Sequence, residues 1–406
     1  MSFEIRAVEL GELDDLLIAD QRGFGGEPPR PDASTTWSTS ELERTRVAFE
    51  AGHMVGVSRT YSFELTMPGG AFLPAAAVSW VSVLPTHRRR GVLTQLIAAM
   101  HDDARARGEP AAILTASEGS IYGRFGYGVA AWRLGVVAER SRIAFARPDD
   151  DDDGRTRVVS RAEAEIALPA VYERSRGTRA GMVTRPDFWW PQVFWEFMFG
   201  RAKAGFVAVH ADAHGRDDGY VVYDIRGDWI GGLPDRHLSI IDMQAESPAT
   251  WIHLWRYVFG VDLIGTVTAS NLPIDDPLRH IVVDSRRVRV DYLNDHLWLA
   301  PLDPLAVLRA RSYTVPGRVV IETHAPDGAQ STIAVEAASD GASCVATTEA
   351  PDFVCESRVL GMCALGGNRW SELADAGRLD VRRPEVLPLA DAMFLATPVP
   401  ALLSFF

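Results

Sequence analysis

The stretch Val78–Gly128 reads VSWVSVLPTHRRRGVLTQLIAAMHDDARARGEPAAILTASEGSIYGRFGYG, and it decides the fold class of the N-terminal part of this 406-residue chain. It predicts, in order, a strand, a basic glycine loop, a helix, a second strand and a tyrosine-rich turn: Val78–Leu84, Thr86–Gly91, Val92–Arg107, Ala111–Ser117 and Ile121–Gly128. This order places a basic loop at the N-terminus of a helix and a phenol just beyond the next strand.

The basic loop has the properties of an anion site. The first turn of a helix has backbone N–H groups without intrahelical partners, and the helix dipole adds partial positive charge there. Gly91 lets the backbone come close to a ligand, while Arg88, Arg89 and Arg90 supply forked donors that suit phosphate oxygens. A solvated charge cluster is the alternative for an isolated Arg-Arg-Arg. The flanking strands and the glycine favour a phosphate site instead.

The helix that follows the loop is clearly marked in the sequence. Its apolar residues recur at the i, i+3, i+4, i+7 spacing of a single helix face: Leu93, Leu96, Ile97 and Met100. Gly108 is predicted to end the helix as the residue just past its C-terminus.

Residues 1 to about 145 are predicted to form one α/β unit, with a helix from near Glu9. Its further strands are Arg46–Glu50, Met54–Leu65, Ala75–Leu84 and Ala130–Ala138. Asp149–Asp153 is a run of like charges that repels itself, and it predicts a linker or a loop tip. A metal site is the alternative there, but adjacent side chains in a row do not converge on one point.

From Val158 to about Trp298, helices alternate with strands. Gly219–Ile225 and Ile230–Gly232 suggest a hairpin, and Ala249–Phe259 a buried helix. The aromatic-dense run Phe188–Phe199 is interpreted as core or interdomain packing, with a ligand cage as the alternative.

The last hundred residues predict a small mixed domain. Its elements are helices at Pro304–Arg311, Leu360–Leu365 and Trp370–Ala376, and strands near Val319–Thr323, Ser331–Val335 and Cys344–Thr348. The three cysteines all lie in this part, and their spacing matches no zinc motif, so buried free thiols are expected.

Composition narrows the class of protein. A net charge of −13 disfavours nucleic-acid binding and suits cationic small substrates. No signal-peptide pattern and no apolar run of membrane length are visible, so the sequence predicts a cytoplasmic protein without a membrane partner.

Two motifs carry a family resemblance. Arg88-x-x-Gly91 resembles the pyrophosphate loop of the GCN5-related N-acetyltransferases (GNATs), whose pattern is Gln/Arg-x-x-Gly-x-Gly/Ala, although Leu93 stands at its last position. The longer strings Val81–Gly91 and Ala116–Gly128 resemble the enhanced intracellular survival (Eis) acetyltransferases of actinobacteria. Those proteins also have leucine at that position, and an aromatic C-terminal residue such as Phe406.

The resemblance implies an α/β (α+β) fold with two GNAT-type domains in tandem, followed by a sterol-carrier-like α+β domain. The implied boundaries are residues 1–147 for the GNAT domain with the acetyl-CoA site, 148–297 for a degenerate GNAT-like domain, and 298–406 for the sterol-carrier-like domain. Consistently, no second phosphate loop is visible between 148 and 297. A homohexamer is also implied.

The resemblance assigns acetyl-CoA as the acetyl donor and no metal. Its pantetheine arm is expected along a strand that splays from its neighbour, and its pyrophosphate in the basic loop. The residues concerned are Val81, Ser82, Val83, Arg88, Arg89, Arg90, Gly91, Val92, Leu93, Thr94, Ser117 and Glu118.

The resemblance also assigns the catalytic groups. Tyr122 is the implied general acid, and its neighbour Tyr127 is implied to be packing. The implied general base is the C-terminal carboxylate of Phe406; a free α-carboxylate has a pKa of about 3.3–3.7 and is a weak base. It would act through water, or after burial has raised its pKa. Without the resemblance, turn aromatics and an apolar tail packed for stability would be the simpler interpretations.

The expected substrate is a primary amine of a small or peptidic cationic molecule. Phe24, Trp37 and Trp80 are expected to line its pocket, while Ser404 and Phe405 leave no acid beside the terminus. Aminoglycosides are therefore uncertain substrates. The alternative function is a lipid or apolar-ligand binding protein with a vestigial acyl-CoA site.

Overall fold

The computed structural model describes residues 3–26, 40–147, 154–198, 205–339 and 341–406. The contacts between Cα atoms divide the chain into two compact units. Unit 1 comprises Met1–Ala130, Leu297–Leu395 and Phe406, and unit 2 comprises Ala131–His296 and Ala396–Phe405.

The first part of the chain has the predicted alternation of strands and helices. Its elements are β1 (Glu4–Ala7), α1 (Leu13–Gly23), β2 (Thr45–Glu50), β3 (His53–Thr66), β4 (Phe72–Val83), α2 (Val92–Ala106), β5 (Ala111–Leu114), α3 (Gly119–Tyr122) and β6 (Gly128–Glu139). The predicted helix after the loop is confirmed within one residue, and Gly108 ends it with a φ of 73°. The predicted strand from Ala111 ends three residues early, at Leu114, where its pairing with β4 also ends.

The described residues in the middle of the chain form five further strands and four helical segments of unequal length. They are β7 (Arg155–Val159), α4 (Arg161–Arg176), a π-helical stretch (Trp189–Met198), β8 (Gly205–Ala211), β9 (Asp217–Ile230), β10 (Leu233–Ala245), α5 (Pro248–Gly260), β11 (Thr266–Leu272) and α6 (Leu278–Ile281). The predicted hairpin is confirmed, but its second strand was misplaced. Gly231 and Gly232 form the turn, since both have positive φ (59° and 82°), as the tight two-residue hairpin turn requires.

The last part of the chain is the predicted mixed α+β region. Its elements are β12 (Val288–Pro301), α7 (Pro304–Arg309), β13 (Gly317–His324), β14 (Gln330–Ala338), β15 (Gly341–Ala346), β16 (Phe353–Glu356), α8 (Ser357–Cys363), α9 (Trp370–Asp375), β17 (Leu379–Val381) and α10 (Leu387–Phe394). The sequence reading missed β12, β16, β17 and α10.

Within unit 1, one sheet has the order β1-β2-β3-β4-β5-β12, and a second has the order β15-β14-β13-β16-β17. Helix α2 packs on the first sheet through the predicted apolar face, with Leu96, Ile97 and Met100 buried and Leu93 partly buried. The second sheet packs around Trp370, whose ring lies 5.1 Å from Phe353 and 5.2 Å from Phe394. All three cysteines are buried and free, as predicted.

Within unit 2, the strands follow the order β6-β11-β10-β9-β8-β7. The aromatic-dense run is core, as predicted: Trp189, Trp190, Phe194 and Trp195 are buried together with Ala401 and Leu403 of the C-terminal tail. The acidic run Asp149–Asp153 lies outside the described residues. In the part of the chain that the structure describes, no helix has the length and apolarity needed to span a bilayer.

The turn that follows α3 packs closely on the C-terminal part of unit 1. A Cβ added at Gly128 would lie 2.1 Å from the Arg358 carbonyl oxygen and 2.6 Å from Met362 Cγ. Glycine is therefore required at this position by close backbone approach.

We expect Gly128→Ala to destabilise the fold by about 1–3 kcal/mol, since α8 or the turn must move to accommodate the methyl group. Denaturant unfolding measures this change. Gly11→Ala is the matched control, because an added Cβ there meets nothing within 4 Å. Equal stability of the two variants would contradict the close packing.

Candidate active site

The central strand of the site, β4, carries a bulge. Val57 pairs with Ser82 and Arg59 pairs with Ser79, so one residue of β3 faces two residues of β4, Trp80 and Val81. Trp80 adopts a left-handed φ of 52°, which is rare for a bulky residue. Such strained backbone conformations cluster at functional sites. The bulge redirects the strand at this point.

Just before the bulge, β4 loses its neighbour β5. The two strands pair in parallel from Ala75 and Ala111 to Val78 and Leu114, and β4 then continues alone on that side to Val83. The backbone groups of Val81, Ser82 and Val83 that face away from β3 therefore have no partner in β5. Such groups can bind an extended ligand that carries amides.

The loop before α2 has the backbone of an anion site. Arg89 and Gly91 have φ values of 61° and 90°, and no described side chain caps the first N–H groups of the helix. A Cβ added at Gly91 would meet no atom nearer than Gln95 Nε2 at 4.0 Å, so the backbone conformation rather than crowding favours glycine. The loop is open to solvent in front of the helix N-terminus.

The three arginines of the loop have different environments. Arg88 donates to the Gly23 carbonyl at 2.7 Å, and Arg90 donates to Glu50 Oε2 at 3.0 Å. His87 also contacts Glu50, with its Nε2 2.9 Å from Oε2, so it supports the loop. Arg89 is exposed and forms no ion pair with any described residue. Of the three, Arg89 is the arginine whose guanidinium is available to a ligand.

Tyr122 is the last residue of α3 and is buried, with 6% of its surface exposed. Burial, aided by the negative charge of Glu118, raises its pKa to about 12. The phenol therefore remains protonated throughout the neutral range. Ser117 and Glu118 lie between β5 and α3, directly before α3, and both are exposed.

Tyr127 differs from Tyr122 in having a structural partner. Its hydroxyl lies 2.9 Å from His101 Nε2, and both side chains are buried. Burial raises the pKa of Tyr127 and lowers the pKa of His101 to about 4, so both groups are neutral near pH 7. A neutral, mutually satisfied pair holds α2 against the turn.

The C-terminal residue belongs to unit 1. The Phe406 ring packs edge-to-face on Phe63 with a centroid distance of 5.3 Å, and its carboxylate accepts a 3.4 Å hydrogen bond from Thr115 Oγ1. Thr115 directly follows β5, where that strand separates from β4. The sequence reading named neither Thr115 nor Phe63, because nothing in their local sequence marks them.

The residues before Phe406 are fixed within unit 2 by a buried cation. Arg185 Nη1 contacts Asp242 Oδ2 at 2.7 Å, and its other donors reach the Leu403 carbonyl at 2.9 Å and Ser404 Oγ at 2.8 Å. The Tyr172 ring lies 3.7 Å from the guanidinium carbon. The apolar tail is therefore inserted and hydrogen-bonded rather than loosely packed.

The expected substrate pocket is described only in part. Phe24 follows α1 and is 58% exposed, while Trp80 lies on the bulge and is hydrogen-bonded to the Tyr61 hydroxyl. Trp37 lies outside the described residues. Among the described residues, no group of acids, histidines and cysteines could hold a metal ion.

An acid that the sequence reading missed lies behind β4. Asp20 of α1 is 3% exposed, is hydrogen-bonded to Ser82, and has one oxygen, Oδ1, without a described partner. Burial raises its pKa to about 6. Its position within the apolar pattern of α1 was the available signal.

Family models of known proteins match all three parts of the chain. Acetyltransferase (GNAT) domain models match residues 4–130 and 181–300, and a sterol carrier protein domain model matches residues 305–403. An uncharacterized N-acetyltransferase of Streptomyces avermitilis is 35% identical over 390 residues, covering 95% of this chain and 94% of its own. The N-acetyltransferase Eis of Mycobacterium tuberculosis is 32% identical over 396 residues, 92% of either chain.

Solved structures agree with these matches. Eis1 from Mycobacterium abscessus is 33% identical, with a TM-score of 0.88 over 99% of this chain and 100% of that one. A GCN5-related N-acetyltransferase from Anabaena variabilis shares the fold at 16% identity, with a TM-score of 0.84 and complete coverage of both chains.

The fold and these matches define an N-acetyltransferase with two tandem GNAT domains and a C-terminal sterol-carrier domain. The chain belongs to the Eis family of these enzymes, as its identity to Eis proteins over nearly the whole length shows. The relatives thus favour the acetyltransferase over the alternative of a lipid-binding protein.

We expect Asp20→Asn to stabilise the protein in a pH-dependent way. Since the folded pKa of about 6 exceeds the unfolded value near 3.8, the stability contributed by neutral Asp20 is lost as pH rises from 3.8 to 6. The gain from the substitution should be small at pH 4 and reach roughly 3 kcal/mol above pH 7.

Urea unfolding at a series of pH values tests this expectation. Asp15→Asn on the same helix is the control, because Asp15 is exposed and its replacement should give no comparable gain. A gain for Asp20→Asn that does not grow between pH 4 and pH 7 would contradict the assignment.

Proposed function

We propose that this enzyme transfers an acetyl group from acetyl-CoA to a primary amine of a small or peptidic cationic substrate. Tyr122 acts as general acid and the Phe406 carboxylate as general base. One observation carries this proposal: the chain terminus lies against Thr115 and Phe63 in the same unit as Tyr122 and the anion loop.

The described residues fit the donor. Backbone N–H groups of Gly91, Val92, Leu93 and Thr94, together with exposed Arg89, would hold the pyrophosphate. Arg88 and Arg90 would hold the shape of the loop through Gly23 and Glu50. The unpaired side of Val81–Val83 would bind the pantetheine amides, and Ser117 and Glu118 would lie near its end.

Acetyl-CoA, when bound, supplies an activated thioester. Tyr122 would donate its proton to the departing sulfur, which suits a phenol whose high pKa keeps it protonated. The Phe406 carboxylate would accept the proton that the amine loses, directly or through water. Thr115 would hold this carboxylate by its hydroxyl, and Phe63 would fix the terminal ring.

The amine pocket would be aromatic and would receive a cation. Trp80, Tyr61 and Phe63 form an aromatic lining on β3 and β4, and Phe24 would add to it from the end of α1. Cations bind well over aromatic faces. Residues Ser404 and Phe405 add no acid, so substrates that need several acidic contacts should be poor ones.

Three further assignments belong to this proposal and rest on the family resemblance. The domain boundaries are placed at residues 147/148 and 297/298, the assembly is a homohexamer, and the compartment is the cytoplasm.

We expect Tyr122→Phe to lower kcat for acetyl transfer by about 10²–10⁴-fold, because the leaving sulfur loses its proton donor. Steady-state kinetics with acetyl-CoA and a diamine measure this loss. Wild-type kcat should show no decline from Tyr122 ionisation between pH 7 and 10, since its pKa is about 12.

Tyr127→Phe is the matched control for this substitution. It should leave kcat nearly unchanged and lower stability by about 1–3 kcal/mol, because His101 loses its buried partner. A normal kcat for Tyr122→Phe, or equal losses of kcat in both variants, would remove Tyr122 as the acid.

Converting the Phe406 carboxylate to an amide, or extending the chain by Gly-Ser, should lower kcat/KM by about 100-fold or more. The amide removes the charge but retains the ring on Phe63. Phe406→Leu, which retains the carboxylate, should keep most of the activity. Unreduced acetyl transfer by the amidated or extended enzyme would show that the terminus is not the base.

A further inference from the structure

Unit 1 contains a second concave site that the acetyl-transfer mechanism does not use. It is a half-open cavity of about 730 Å³. This volume lies within the range of roughly 300–1,000 Å³ that is usual for small-molecule sites. One wall is the turn after α3, and the opposite wall consists of the loop after β13, the start of α8 and Arg378.

The cavity shares no lining residue with the proposed donor site, although Gly119 directly follows Glu118. None of its lining residues belongs to β4, to the basic loop or to α2. It is lined by the tyrosine-rich turn, where Gly123, Gly126 and Gly128 allow the C-terminal part of unit 1 to approach.

The charge of the cavity is positive, although the whole protein carries −13. Glu356 is the one acid in the described lining, and Arg358 neutralises it through Nε–Oε2 and Nη2–Oε1 contacts of 2.7 and 3.0 Å. Arg124 and Arg378 also line the cavity and have no ion pair with any described residue. Two exposed guanidinium groups are thus available there to a ligand.

Part of the remaining lining is apolar, beside the polar side chains of Ser120, His324 and Ser357. Trp298, with 8% of its surface exposed, lines the cavity together with Met362 and Pro326. An aromatic or apolar body can bury surface against these side chains, while a charged group reaches the guanidinium forks. A free inorganic ion would use the arginines and leave this apolar surface exposed.

We infer that this cavity, lined by Arg124, Arg378 and Trp298, is a binding site for a small organic anion with an aromatic or apolar body. Carboxylates and phosphate monoesters share the required chemistry, since both offer oxygens to an arginine fork. The site is independent of acetyl transfer and does not require the proposed mechanism to be correct.

Isothermal titration of the full-length enzyme, first without CoA and then saturated with CoA so that the donor site is filled, tests this inference. The probes are 1-naphthyl phosphate, 1-naphthoate and neutral 1-naphthol. At least one of the two anions should bind saturably, and more tightly than the neutral alcohol by about tenfold or more, the value of one charge-assisted contact. The better anion identifies the preferred oxyanion.

Variants then locate the binding. Arg124→Gln with Arg378→Gln should weaken the anion about tenfold or more. Arg318→Gln is the matched control, because Arg318 pairs with Glu349 at 2.6 Å on β13 and does not line the cavity. It should leave binding unchanged. All variants should retain thermal stability, since the replaced groups are exposed.

Three results would overturn the inference. They are the absence of saturable binding by both anions, binding that disappears when CoA fills the donor site, and binding that the double substitution leaves unaffected. Each can occur with acetyl transfer intact, so they are distinct from a failure of the proposed function.

Discussion

The divergence of β4 from β5 is the constraint on which the rest of the site depends. Pairing between the two strands stops at Val78 and Leu114, and the bulge at Trp80 turns β4 away. The gap frees backbone groups on β4, and it leaves Thr115 at the open end of β5 to meet the Phe406 carboxylate. A continuous sheet would satisfy those groups internally and would leave no room for a ligand between the strands.

Two sets of contacts hold the C-terminal residues in place. Within unit 2, buried Arg185 stacks on Tyr172 and binds the backbone of Leu403, while Asp242 balances its charge. Removing either member of such a pair leaves a buried charge without compensation, so the pair is costly to break. Within unit 1, Phe63 and Thr115 contact Phe406 itself. Both sets of contacts restrict the position of Phe406, the residue whose carboxylate is the general base in the proposed mechanism.

Individual glycines and arginines of the two motifs have different roles, and their spacing alone does not show which residue has which role. Gly91 is open to solvent and has a left-handed φ, whereas Gly128 is crowded by the Arg358 carbonyl. Arg88 and Arg90 donate to Gly23 and Glu50, whereas Arg89 forms no ion pair with any described residue. Periodicity located α2 within one residue because four apolar residues follow the i, i+3, i+4, i+7 spacing of one helix face. It misplaced the end of β5 because strand ends depend on partners distant in sequence.

By itself, the sequence determined the strand–loop–helix–strand order, the anion loop, the apolar face of α2 and the aromatic core of the middle segment. These follow from local rules: helical spacing, glycine at a left-handed position and burial of large aromatics. Only the tertiary structure decided where the C-terminal residue lies, which loop arginines bind other parts of the protein, and that Phe63 and Thr115 contact Phe406 while Asp20 contacts Ser82. These are contacts between residues up to 291 positions apart, and no local pattern encodes them.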